Sequence, residues 1–327
     1  MNLSVVPAYN AERARERAGG RAPHGVYADL TELLKLEFKA RGFSFLPRQP
    51  VHSVLAGRHA SRLRGRGLNF EEIRRYLPGD DIRNMDWRVT ARVRKPHVRV
   101  YTEERDRPCL LVVDQRRGMF FGTRRCMKSV AAAEAAALAA WRVFHAGDRV
   151  GAIVFNDTDI TEISPHRSRQ RIMQILQAII EKNHALSADS TEPANPGMLN
   201  AALERAVRLA KHDYLVCLVA GGGGADDITV RLATQLAAHN DVMVAFVYDP
   251  METDLPPGDR LVVADGELQL EVDGGDTRLR NGFSEEFRKR LEWMRRITRQ
   301  RQTPLLPIST ERGVAEQVRD LLGGARR

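Results

Sequence analysis

The sequence predicts an α/β fold, a mainly parallel sheet flanked by helices, preceded by an arginine-rich loop/β module and interrupted late by a β-hairpin. Three observations predict it. From residue 108 onward, short apolar runs of strand length alternate with longer segments of helical period. The runs are apolar throughout, as strands covered on both faces are, and Gly, Pro or Asp punctuates the joins between segments. With 327 residues, 43% hydrophobic and 28% charged, the chain has the composition of a soluble globular protein. Its length suits a doubly wound domain with an added module.

Residues 1–27 mix Arg, Ala, Gly and Pro without a sustained apolar period and read as a mobile tail. Asp29 is a candidate N-cap for a helix in which Leu30, Leu33, Leu34 and Phe38 recur at helical spacing until Gly42. That helix and a signature module make up 28–107, where Gly57, Gly65, Gly67, Pro78 and Gly79 interrupt polar sequence before His97–Thr102 alternates as a strand. The α/β domain is assigned to 108–322. It begins with the run Cys109–Val113, ending at Asp114, and a helix over 125–146 stopped by Gly147. The strand Arg149–Phe155 and a helix with Ile172, Ile175, Leu176 and Ile179 on one face follow. A helix from Pro196 presents Leu199, Ala202, Leu203 and Ala206, and Tyr214–Val219 is the next strand. The run Gly221–Gly224 leads to a helix from Asp227, and Val242–Tyr248 is again apolar. Leu261–Val263 and Leu268–Val272 flank Asp265-Gly266, which predicts a hairpin insertion at about 259–275. Phe287, Leu291, Met294 and Ile297 mark a helix, Leu305–Ile308 a last strand, and Val314, Val318 and Leu321 a closing helix. Six strands are expected, near 109, 150, 214, 243 and 305, with one edge strand that the pattern does not locate.

Charge is concentrated. The chain has 51 Lys+Arg against 42 Asp+Glu, a net +9, and residues 57–105 alone carry 13 basic and 7 acidic side chains. Such a block suits an acidic partner or nucleic acid. Aromatic residues are only 6% and no nucleic-acid motif is present, so a nucleic-acid-associated protein is the alternative and not the first reading. Cys109, Cys126 and Cys217 are odd in number and lie in apolar contexts, as buried thiols of a reducing compartment do. The longest apolar runs, 130–141 and 214–220, are alanine-rich or too short to cross a bilayer, so no membrane span and a cytoplasmic location are expected. Enzyme chemistry is not expected either. The histidines lack zinc-ligand spacing, no Gly-x-Ser-x-Gly elbow occurs, and Gly221–Gly224 lacks the Lys and Ser/Thr of a phosphate loop.

One block of motifs is specific. It contains Gly57-Arg58-His59-Ala60-Ser61, Gly65-Arg66-Gly67, Phe70, Arg74-Arg75-Tyr76-Leu77-Pro78-Gly79-Asp80-Asp81-Ile82-Arg83, Asp86-Trp87 and Thr90-Ala91-Arg92. With Val98–Glu104, the strand ending at Asp114, and Asp249-Pro250-Met251-Glu252 followed by Leu255-Pro256 and Gly258, it resembles the signature of the domain-of-unknown-function 58 family. The resemblance implies a von Willebrand factor A-like, Rossmann-like fold. It also implies MoxR-type AAA+ ATPases as partners in the maturation of other proteins, hence a non-enzymatic adaptor or scaffold that docks such an ATPase or its client. In that fold the first strand typically ends in Asp-x-Ser-x-Ser, whose oxygens hold Mg²⁺ with a distant Thr and Asp. Here Asp114-Gln115-Arg116-Arg117-Gly118 retains only the aspartate, Gly197 stands at the threonine position, and Ala220 with Gly221–Gly224 replaces the Ser-Asp. No metal and no cofactor are therefore expected. A metal-dependent ligand binder with an unorthodox site is the remaining alternative.

Within the signature block, Pro78-Gly79-Asp80-Asp81 is turn chemistry. Asp80, Asp81 and Asp86 interleave with Arg83, Arg88 and Arg92, which suits an internal salt-bridge network fixing loops against the sheet, with Trp87 as a packing anchor. An exposed binding face is the competing reading and stays open. Arg58, Arg62, Arg64 and Arg66 are its candidates, because glycines adjoin them and no acidic residue lies between them, while Arg83 and Arg92 are expected to be internal.

Overall fold

The computed structural model describes residues 25–42, 68–103, 108–188, 190, 193–253, 260–265, 268–273, 276–299 and 304–323. They fall into two compact units, the smaller within 46–106 and the larger made of the rest. The first helix, α1 (Leu30–Lys39), is capped by Asp29, whose carboxylate accepts from the Glu32 N–H at 3.1 Å. Its place differs from expectation, for α1 belongs to the larger unit and not to the signature module. The reason lies in its buried stripe of Leu33, Leu36 and Glu37, which leaves Phe38 73% exposed. Most of the expected tail lies outside the described residues, but Tyr27 donates to the Leu186 carbonyl and the Ala28 N–H to Asn183 Oδ1 at 2.7 Å, so its last residues are fixed.

The smaller unit is built on an antiparallel pair, β1 (Leu68–Arg75) and β2 (His97–Glu103), with a bulge between Phe70 and Glu72. Helix α2 (Trp87–Val93) lies between them in sequence. Only β2 was anticipated, since the polar, glutamate-bearing β1 lacks an apolar alternation.

The larger unit continues with β3 (Cys109–Asp114), α3 (Lys128–Ala146), β4 (Val150–Phe155), β5 (Ile160–His166), α4 (Arg169–His184), α5 (Gly197–Leu209) and β6 (Leu215–Ala220). Then come α6 (Asp227–His239), β7 (Asp241–Tyr248), the single turn α7 (Pro250–Thr253), and the hairpin β8 (Arg260–Asp265) and β9 (Leu268–Asp273). Helix α8 (Thr277–Arg299), β10 (Leu305–Ser309) and α9 (Val314–Gly323) complete it. The strand order is β10-β7-β6-β3-β4-β5, all parallel except β5, which runs antiparallel to β4. The fold is thus von Willebrand factor A-like, mainly parallel and flanked by helices. The strand left unplaced is β5, where only Ile163 is buried.

The central strands β3, β4 and β6 are buried along their whole length, as strands covered on both faces must be. One face is covered by α3, α4 and α9, with α1 seated on α3 and α4, and the other by α5, α6 and α8. Helix α3 is the pivot of the first layer. Its alanines let it be buried nearly all round, and it ends where Gly147 takes a left-handed conformation, φ +89°. The three cysteines are buried and free, and burial pushes the Cys126 thiol up to about 12, too high for a thiolate at neutral pH.

Candidate functional site

Strand order reverses between β3 and β6, and in open α/β sheets the crevice at the strands' carboxyl ends beside such a reversal is where ligands sit. Here that crevice holds the protein's own cation. Asp114 closes β3 at 1% side-chain exposure, and Arg116, at 8%, turns back onto it. The guanidinium donates through Nε to Oδ1 at 3.0 Å and through Nη2 to Oδ2 at 2.7 Å, a planar fork on a carboxylate. The Arg116 backbone N–H adds a third bond to Oδ1, at 3.0 Å. Beyond the carboxylate, Nη1 reaches the Pro196 carbonyl at 3.3 Å and Nη2 the Gly223 carbonyl at 2.8 Å. The guanidinium carbon lies 5.5 Å from the centre of the Phe155 ring. Burial works against the Arg116 charge, but Asp114 more than offsets it, so the guanidinium titrates above its usual range. Asp157 ties the same rim together, accepting from the backbone N–H of Arg117 at 2.6 Å and of Asn195 at 2.8 Å.

The glycine run is shaped to this arrangement. Gly222 and Gly224 both have φ +74°, and a Cβ on Gly224 would stand 2.7 Å from the Pro196 Cβ and 3.2 Å from Arg116 Nη1. Gly224→Ala is therefore strained in backbone and contact alike. We expect it to cost about 1–3 kcal/mol by urea denaturation, where an exposed, relaxed loop would show no loss.

A second buried network gathers around Asp249-Pro250-Met251-Glu252. Asp249, wholly buried, accepts from the Thr123 N–H at 2.8 Å, from the Thr123 and Thr310 hydroxyls at 2.5 Å each, and from the Met251 N–H at 3.0 Å. Glu252 takes the Asp249 N–H on Oε2 at 2.9 Å, and on Oε1 the Lys128 ammonium at 2.9 Å and the Arg290 guanidinium at 3.3 Å. Burial alone would raise the Glu252 pKa, yet Lys128 and Arg290 together hold it below the ordinary range. Lys128 itself is 5% exposed and stands 5.6 Å from the centre of the Phe121 ring. The motif was visible in the sequence. Its partners Thr123, Lys128, Arg290 and Thr310 were not, because they lie up to about 126 residues away and enter from other elements. No group of three or more His, Cys, Asp or Glu side chains among the described residues is arranged to hold a metal.

In the smaller unit the signature block sorts its charges. Arg74 forks onto Asp80 at 2.9 and 2.7 Å, and Asp80 also accepts the Leu77 N–H at 2.7 Å across the turn in which Gly79 has φ +106°. Asp81 accepts the Arg83 N–H. Asp86 caps α2 through the N–H groups of Arg88 and Val89 and accepts Arg99 Nε at 2.8 Å. Two of the three carboxylates thus have an arginine partner, but not one of those expected. Arg83 and Arg92, predicted to be internal, are exposed, as are Arg88, Arg94 and Lys95. Trp87 is no packing anchor, for it is 66% exposed, with Leu77 at 58% and Ile82 at 62%. Strand pairing explains the exchange: Arg74 and Arg99 belong to β1 and β2 and meet the aspartates there, and the arginines around α2 are left outside. Tyr76 is half-buried and Ala91 exposed, and Phe70 lies in β1. Gly57, Arg58, Ser61, Arg62, Arg64, Gly65, Arg66 and Gly67 lie outside the described residues.

Residues 72–292 match a family described as "Protein of unknown function DUF58". An uncharacterized protein of Mycobacterium tuberculosis is 30% identical over 283 residues, covering 85% of this chain and 86% of that protein. Among solved structures, a von Willebrand factor type A protein from Catenulispora acidiphila is similar with a TM-score of 0.38 and 12% identity, over 69% of this chain and 43% of the other. An aerotolerance-related membrane protein from Bacteroides fragilis gives 0.37 and 11%, over 67% and 97%. The cytoplasmic location expected from the sequence is corrected here: it rested on the lack of an apolar span, and this neighbour is described as a membrane protein. No helix among the described residues is long and apolar enough to cross a membrane, but that assigns no compartment: a domain outside the bilayer carries no span whether or not its chain is anchored.

Proposed function

This chain belongs to the DUF58 family, and on that premise we propose that it is a non-enzymatic adaptor that docks a protein partner through the outward side of its signature block. The partner we propose is a MoxR-type AAA+ ATPase acting in the maturation of other proteins. The observation that carries this reading is the sorting of side chains in 74–99. Asp80 and Asp86 are paired with arginines inside the block, while Trp87, Leu77 and Ile82 are presented to solvent beside Arg83, Arg88 and Arg92. Exposed tryptophan and arginine in one short segment are the residue types that dominate protein interfaces. A complementary surface offers an apolar recess for the indole, ringed by carboxylates.

Two variants test this, Trp87→Ser and the pair Arg88→Glu with Arg92→Glu, with affinity measured for the purified MoxR-type ATPase of the same organism in a buffer containing EDTA. Each is expected to weaken binding roughly tenfold or more. Melting temperatures should hold, because exposed side chains contribute little to stability. Wild-type affinity in both variants would refute the face. A duplex oligonucleotide bound with a steep salt slope that the charge reversal abolishes would favour the nucleic-acid reading instead.

A further inference from the structure

We infer that the Arg116 guanidinium is the resident cation of the switch-point crevice, standing where this fold takes a divalent metal and fastening three loops without one. This goes beyond the docking reading, which makes no use of the crevice.

The fit of a metal can be judged from the donors present. A hard divalent cation needs several oxygens converging on one point, among them usually more than one carboxylate or hydroxyl. Asp114 offers two oxygens, and both already accept from Arg116. The positions two and four residues beyond it hold Arg116 and Gly118 where hydroxyls would be required, and Gly197 and Gly221 bring no side-chain oxygen. A metal at this point would also stand against a fixed positive charge. The residues do not suit the ion.

They suit a guanidinium closely. Its donors lie flat in a fork, and they meet the Asp114 carboxylate from the β3 loop, the Pro196 carbonyl from the loop before α5, and the Gly223 carbonyl from the loop after β6. Those loops come from segments about 80 and 107 residues away in sequence. Gly224 permits the approach, since any Cβ there would press on Pro196 and on Arg116 itself. A metal-loaded crevice can be set or released as the ion comes and goes, whereas a covalently attached cation cannot leave. The rim is therefore permanently set, and the crevice is closed to divalent ions and to carboxylate ligands that would reach it through one.

Lysine at 116 separates the fork from the charge, because an ammonium cannot satisfy a carboxylate and two carbonyls in one plane. The test is hydrogen exchange of the full chain, wild type and Arg116→Lys, each with Mg²⁺ or with EDTA. In the wild type, amides of 197–199 and 221–225 should exchange at the same rate in both buffers. In Arg116→Lys both segments should exchange at least about tenfold faster while β3 and β6 keep their protection. If the lysine variant does not fold, the uncharged pair Asp114→Asn with Arg116→Gln takes its place, with the same loop opening expected. Exchange unchanged in the variant would overturn the inference, and so would Mg²⁺-dependent protection of these segments in the wild type.

Discussion

Glu252→Ala is expected to destabilise the larger unit by about 3–5 kcal/mol, because it strands the Lys128 ammonium in the interior without a counter-charge. Arg290, less buried, can turn to water, but Lys128, fixed in the first turn of α3, has no such exit. Burial of an unpaired charge sets the size of the loss, so removing both charges should restore much of it. Glu252→Gln combined with Lys128→Met is expected to be markedly more stable than Glu252→Ala alone. The same pairing gives a pH dependence. Lys128 and Arg290 hold the Glu252 pKa below its usual range, so its contribution is complete above the unfolded-state value of about 4.3 and is lost as pH falls through the lower folded value. Urea titrations at pH 7 and at pH 3 to 4 check both points. A loss under about 1 kcal/mol at neutral pH would mean that Lys128 finds another partner.

Trp141→Ala is the second large effect, expected at about 3–5 kcal/mol for a wholly buried indole. Its consequence is specific. Trp141 Nε1 donates to the Leu33 carbonyl at 3.2 Å, and the Arg169 guanidinium, forked onto Glu37, lies 5.1 Å from the ring centre. Removing the indole takes away the surface on which α1 is seated. Limited proteolysis should then cut within 30–39 before it cuts the central strands. Urea unfolding gives the energy, and a variant whose α1 remains protected would show that the Leu33 and Leu36 contacts suffice alone.

The parallel strands were readable in the sequence because burial on both faces demands unbroken apolar runs, and β3, β4 and β6 are such runs. Edge strand β5 escaped because a single buried residue, Ile163, leaves no pattern. At the crevice the sequence disclosed the loss of hydroxyl ligands and the fixed positive charge of Arg116 in their place, but not the full set of partners that charge finds. That depends on carbonyls of Pro196 and Gly223, whose approach is set by tertiary structure. Likewise the composition of the signature block revealed its charges but not their partners. Asp86 passes over the neighbouring Arg88 side chain for Arg99, 13 residues on, because β2 brings it there. The exposure of Trp87 had no local signal, since a seven-residue helix fixes no face until something packs against it.

Hydrogen exchange on the complex with the purified MoxR-type ATPase decides whether the outward side of the signature block receives the partner. New protection is expected across 77–95, centred on Trp87, with the crevice segments 114–118 and 221–225 unchanged and the pattern identical with and without EDTA. Protection at the crevice that vanishes on chelation, with 77–95 exchanging as in the free chain, would contradict it.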